Sequence, residues 1–271
     1  MTKTTVGLKR RSNLSRKGTP SCKSNVSSDT NLPKCYPLTG LNCEVGPKSL
    51  DSLKRLLGDW AKKSNGHWKG KLYVATTICW DTEEGKFLQS GCSPNYLGGL
   101  WTLACCKHDM LAAEPFKEAV KKALEGGDCP VMIFTLSHVS QKCPRQSLVS
   151  VARVTSSFET MEKYARFLRT RGNETLSREK LSAMPRNDRF LGWRFGDCHA
   201  ARNYKVKAPG ESHVHAKPKD YKHDFHKHLL LASDCFVVWS CPTLRASEIW
   251  HQSRYGINVT PENLREMFVE Q

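Results

Sequence analysis

The sequence predicts an α+β domain: helices at both flanks, short strands between them, and a basic tail in front. Three observations carry that reading. Apolar residues recur at helical spacing over 50–60, 115–124 and 157–168. Short runs rich in β-branched residues separate these stretches, at 72–79, 130–137 and 148–155, and Gly, Pro and Asn bound them. Residues 1–46 are rich in Ser, Thr, Asn, Lys and Pro and poor in aromatics. Such a segment buries too little surface to offset its ordering entropy, so a disordered tail is expected.

The elements follow in order. Leu50, Leu53, Leu56, Leu57 and Trp60 fall on one helical stripe, which Ser49 or Ser52 can cap, and 47–67 reads as an amphipathic helix and linker. Residues 72–79 read as a buried strand, 92–99 as a turn and 100–106 as a second strand. Phe116, Val120 and Leu124 line a helix that Gly126 and Gly127 end. Strands are expected at 130–137 and 148–155. Ser157 then caps a helix with Phe158, Met161, Ala165 and Leu168 facing inward, stopped by Gly172. The stretch 173–222 is polar and irregular, with one short helix at 176–183; a loop of that length is functional or disordered. Residues 228–231 and 235–239 read as a strand pair or one bent strand. Two helices close the chain at 244–251 and 261–269, with Thr260 as cap and Pro261 at the first position of the last one. No internal repeat is visible.

Charge narrows the function classes. Among 271 residues, 42 Lys and Arg face 26 Asp and Glu, a formal net charge of +16. Residues 1–48 hold nine Lys and Arg against two acids, so +7 lies there and +9 lies in the rest. A body that is basic in its own right favours a polyanionic partner, most simply nucleic acid. The run Lys9, Arg10, Arg11, Arg16 and Lys17 suits a backbone-gripping arm or a nuclear import signal; an organellar transit peptide has the same composition. No apolar run is long enough for a membrane span and no apolar h-region follows the start, so an intracellular protein is expected. The 12 cysteines are then expected as thiols. No Walker loop, GxSxG, HExxH or GxGxxG stands in the right context, and no cofactor is expected.

Four segments, taken together, resemble one family. The first is Ser93-Pro94-Asn95-Tyr96-Leu97-Gly98-Gly99-Leu100-Trp101-Thr102-Leu103-Ala104-Cys105-Cys106-Lys107. The second is Gly127-Asp128 entering a strand, then Leu148-Val149-Ser150-Val151-Ala152-Arg153-Val154. The third is Gly196-Asp197 with Asn203-Tyr204, and the last is Asp224 followed by Leu229-Leu230-Leu231-Ala232-Ser233-Asp234-Cys235-Phe236-Val237-Val238-Trp239. Their order is similar to the nucleotide modification associated domain proteins, found beside base-modification systems. The resemblance spans about 71–240. It implies a PUA-like curved β-barrel over 68–242; the two helices read from the residues then occupy 243–271. In the wider PUA-like and EVE-like group such a barrel holds a nucleic-acid groove, often for a modified or flipped base.

The candidate site residues follow. Asn95, in a Pro- and Gly-rich turn, can read a base edge or simply cap the turn. Lys107 can hold a phosphate. Trp193 and Arg194 suit stacking and phosphate contact, or anchor a loop; Asp197 can accept from an exocyclic amine. Thr102, Tyr204 and the nearby Asn203 and Ser233 complete the expected groove. His213, His215, His223, His226 and His228, with Cys198 and His199, match no zinc module, and no metal is assigned. The expected function is non-catalytic recognition of a modified or flipped base, in DNA before RNA. The first alternative is an enzyme of base or nucleotide modification using Asp197, Asp224 and Cys106, the last with His199 as a conceivable base. The second is a scaffold that offers the helix at 50–60 and the terminal helix to protein partners of a modification complex.

Overall fold

The computed structural model describes residues 36–37, 44–83, 85–89, 93–96, 99–104, 108–127, 129–139, 144–170, 197, 229–251 and 255–271. In chain order the first elements are β1 (Tyr36–Pro37), β2 (Glu44–Val45), α1 (Leu50–Trp60), β3 (Lys69–Ala75), β4 (Ile78–Asp81), β5 (Lys86–Gln89) and β6 (Trp101–Leu103). Next come α2 (His108–Ala112), α3 (Glu114–Leu124), β7 (Val131–Ser137), β8 (Leu148–Arg153), β9 (Ser156–Phe158) and α4 (Met161–Thr170). The last are β10 (Leu230–Ser233), β11 (Cys235–Val238), β12 (Leu244–Ala246), β13 (Ile257–Val259), α5 (Leu264–Met267) and β14 (Phe268–Glu270). The class is α+β, as predicted.

Helix α1 forms on its apolar stripe, and Ser49 Oγ accepts from the Ser52 backbone N–H at 3.2 Å as its cap. Leu53 and Leu57 are fully buried. They belong to a core that also takes Phe134 from β7 and Phe268 from β14, whose rings stack at 6.0 Å. The flanking helix and the C-terminal residues therefore share one core with the central strands. Those strands make a six-stranded mixed sheet in the order β13-β3-β7-β8-β11-β2, with β3–β7 and β11–β2 parallel. A three-stranded sheet β6-β10-β9 lies beside it, and α4 covers that sheet through a second, smaller core of Leu100, Ala104, Tyr164, Leu168, Leu230 and Ala232.

One bent ribbon joins the two sheets. Arg153 pairs with Cys235 in the large sheet, and Ser156 pairs with Ala232 in the small one. Only Val154 and Thr155 intervene on one strand and Asp234 with the strand ends on the other. The Thr155 backbone N–H donates to Ala232 O at 3.0 Å across the bend. The ribbon thus passes from one sheet into the other. The large sheet is not closed: among the described residues the six-stranded sheet ends at β13 and β2, and no barrel forms.

Several local expectations change. The strand expected at 72–79 is two strands broken at Thr76 and Thr77, because β3 runs in the large sheet whereas β4 leaves to pair with β5. Ser157 does not cap a helix; it pairs with Leu231 in β9, and Thr160 Oγ1 instead accepts the Lys163 backbone N–H at 3.2 Å at the start of α4. The helix expected at 244–251 opens as β12, which pairs with β14. The terminal helix is one turn, and Phe268 leaves it for that same pairing. Strands β5 and β13 and helix α2 were not predicted. The tail read over 1–46 enters sheets at two points, β1 on β5 and β2 on β11. The helix expected at 176–183 lies outside the described residues. No helix among the described residues is long and apolar enough to cross a membrane.

Candidate nucleic-acid interface

Strand β6 sets the geometry of the site. Neighbouring strand residues point to opposite faces. Trp101 turns into the large core, and Thr102, paired with Ala232, turns toward α4. Main-chain bonds between Asn95 and Thr102, at 2.9 and 2.8 Å, close the intervening loop onto the start of β6. Asn95 is buried there, at 1% exposure.

Asp197 meets this face from a distant part of the chain. Thr102 Oγ1 donates to Asp197 Oδ2 at 2.6 Å, and Tyr164 Oη donates to Asp197 Oδ1 at 2.8 Å. All three side chains are fully buried. A buried carboxylate is stable only when its oxygens find donors, and each oxygen here finds one hydroxyl. Among the described residues no cation pairs with Asp197. The arrangement fastens the chain at 197 to β6 and α4. It sits within 171–228, a stretch that carries 13 Lys and Arg against seven acids and six of the ten histidines. A net charge of +6, out of +9 outside residues 1–48, therefore lies in the sequence around Asp197.

The structure brings together three of the predicted residues, Asn95, Thr102 and Asp197. It separates Ser233 from them. Ser233 pairs opposite Trp101, on the other face of the small sheet from Thr102. Its hydroxyl lies 2.6 Å from Arg153 O and 2.8 Å from Cys235 O, and accepts the Cys235 N–H at 3.0 Å. Ser233 thus stitches the bend between β10 and β11 rather than lining the groove with Thr102. Tyr164 was missed as a member of the site. The signal for it was present: a tyrosine three residues after Met161 and four before Leu168 lies on the buried stripe, and a buried hydroxyl needs a partner.

The remaining candidates, Lys107, Trp193, Arg194, Asn203 and Tyr204, lie outside the described residues, as do Lys9, Arg10, Arg11, Arg16 and Lys17 of the tail. Cys106, His199, Asp224 and the histidines from His213 to His228 lie outside them too. Compared with known proteins, the chain matches no family model, no curated protein and no solved structure.

Proposed function

We propose that this chain is a non-catalytic nucleic-acid-binding module that recognises a modified or extruded base, in DNA before RNA. The observation that carries the reading is the buried contact of Asp197 with Thr102 and Tyr164, because Asp197 stands in a stretch of net charge +6, residues 171–228. A stretch with 13 Lys and Arg offers phosphates several cations within a short length of chain. We read the pair of sheets as PUA-like, in line with the motif resemblance.

In this mechanism Lys and Arg of 186–228 and of the tail hold phosphates and supply a salt-dependent affinity. Trp193 and Tyr204 stack on the extruded base, with Arg194 and Lys107 on the flanking phosphates. Extruding a base costs a few kcal/mol, which stacking and edge hydrogen bonds in the pocket must offset. Asp197 takes a positioning role in this account: both its oxygens serve Thr102 and Tyr164, and it orients the segment that carries the stacking residues.

Fluorescence anisotropy with labelled duplexes tests the proposal, using unmodified DNA and duplexes bearing single modified bases across a salt series. The proposal expects a steep salt dependence and a preference for one modification. Equal affinity for all duplexes would remove the base-recognition half, and absence of binding at low salt would remove the whole.

A further inference from the structure

We propose that Gln89, Trp101 and Thr135, gathered at one end of the large sheet, read the edge of the extruded base, and that this pocket takes a neutral nucleobase rather than a phosphate. The inference rests on the nucleic-acid reading. It names the groups that read the base, since both oxygens of Asp197 are engaged by Thr102 and Tyr164.

The sheet face gives the first observation. Tyr73, Thr135 and Ser150 are cross-strand partners on β3, β7 and β8, so their side chains stand in a row on one face. Two residues along the strands the same face carries Ile133, Ala152 and Phe236, which are apolar. Tyr96 reaches this face and donates its hydroxyl to Ser150 Oγ at 3.0 Å, with its ring 6.3 Å from that of Phe236. Gln89 of β5 holds the segment that carries Tyr96: its Nε2 donates to Pro94 O at 2.9 Å. The main-chain pair of Asn95 and Thr102 joins that segment to β6, where Trp101 packs in the core that takes Tyr96 and Phe236. Residues 93–96 are therefore the common neighbour of Gln89, of Trp101 and, through Ser150, of Thr135.

Unmet hydrogen-bonding groups give the second. All three side chains are fully buried, and among the described residues Gln89 Oε1, Trp101 Nε1 and Thr135 Oγ1 meet no partner. Leaving such atoms unmet is unfavourable. Together they offer one acceptor, one donor and one hydroxyl that serves as either. The Watson–Crick edge of each base carries both a donor and an acceptor, so it answers this set. A phosphate only accepts and leaves Gln89 Oε1 unmet. The chain's basic stretches meet the fold beside these groups. Tyr36, which follows the basic N-terminal residues, pairs with Gln89, and Asp197 of the stretch 171–228 bonds to Thr102, the neighbour of Trp101. The three atoms are closed from solvent, so a base reaches them when Tyr96 leaves Ser150 and Phe236 and swings off the sheet; binding and closure are then coupled.

The test measures binding of the full chain, by anisotropy at low salt, to labelled duplexes with one unpaired central nucleotide. That nucleotide carries each of the four natural bases in turn, or is an abasic residue with the same phosphates. The tightest base is expected to bind about tenfold better than the abasic residue. Thr135→Val and Trp101→Phe should each lower that ratio by roughly three- to tenfold. Thr135→Val puts a methyl in place of an unmet hydroxyl, so its melting midpoint should stay level or rise. A lower midpoint would mean that the hydroxyl is satisfied within the protein, and would overturn the proposal. Two further results would overturn it while leaving nucleic-acid binding intact: four bases no better than the abasic residue, or a base preference that both variants keep. Absence of binding to every duplex would remove the nucleic-acid reading, and this inference with it.

Discussion

Asp197, which stands in the basic stretch 171–228, meets the fold through two hydroxyls, those of Thr102 and Tyr164. Replacing it by alanine leaves Thr102 Oγ1 and Tyr164 Oη buried without their acceptor. Each lost buried hydrogen bond costs about 1–3 kcal/mol and two are lost, so Asp197→Ala should destabilise by about 2–6 kcal/mol in a denaturant melt. Trypsin should then cut within 171–228 sooner than in the wild type; equal cutting rates would mean that the contact fastens nothing. Ser233 gives the contrasting case. Its hydroxyl satisfies main-chain groups at the bend, so Ser233→Ala should cost about 1–3 kcal/mol while DNA affinity, measured well below the melting midpoint, stays within twofold. A selective loss of affinity without loss of stability would return Ser233 to the groove. The sequence reading grouped Thr102 with Asp197 in one groove through the resemblance alone. That they bond directly, through Tyr164's help, was not legible, because 95 residues separate them and no periodicity links them.

At the scale of elements, legibility followed length. Helices α1 and α3 and strands β7 and β8 carry their own repeating pattern over six to eleven residues, and each lies where its pattern puts it. Strands β9, β12, β13 and β14 are three residues long, too short to show a period. Their partners decide them: Ser157 is held by Leu231 and Ala246 by Phe268, pairings no local window contains. Propensity lost to tertiary pairing there, which is why helices expected at 157 and 244 begin as strands. The amphipathic stripe of α1 was correctly seen, and the use expected of it under the scaffold reading changes. Leu53 and Leu57 are fully buried in the chain's own core, so that stripe is not on offer to a partner. Leu57→Ala should therefore cost about 2–5 kcal/mol of stability. A change below about 0.5 kcal/mol in a urea melt would mean that the helix packs loosely enough to be lent out.

Along the sequence the positive excess is concentrated: of the net charge of +16, +7 lies in residues 1–48 and +6 in residues 171–228. A bent ribbon turns the chain from the large sheet into the small one, where α4, β6 and Asp197 meet, while β13 edges the large sheet at the end opposite β2. Net charge led to the expectation of a polyanion partner from the sequence alone; the structure adds the place of Asp197 within that stretch. The central claim is that this segment holds phosphates, and its salt dependence tests that most directly. The slope of log K against log salt would be measured for the wild type and for Arg186→Gln/Arg189→Gln/Arg194→Gln/Arg202→Gln on one DNA duplex. Each lost phosphate contact should lower the slope by about 0.9, so a reduction of roughly 2–4 is predicted. An identical slope in the two proteins, or no binding by the wild type at low salt, would contradict the account.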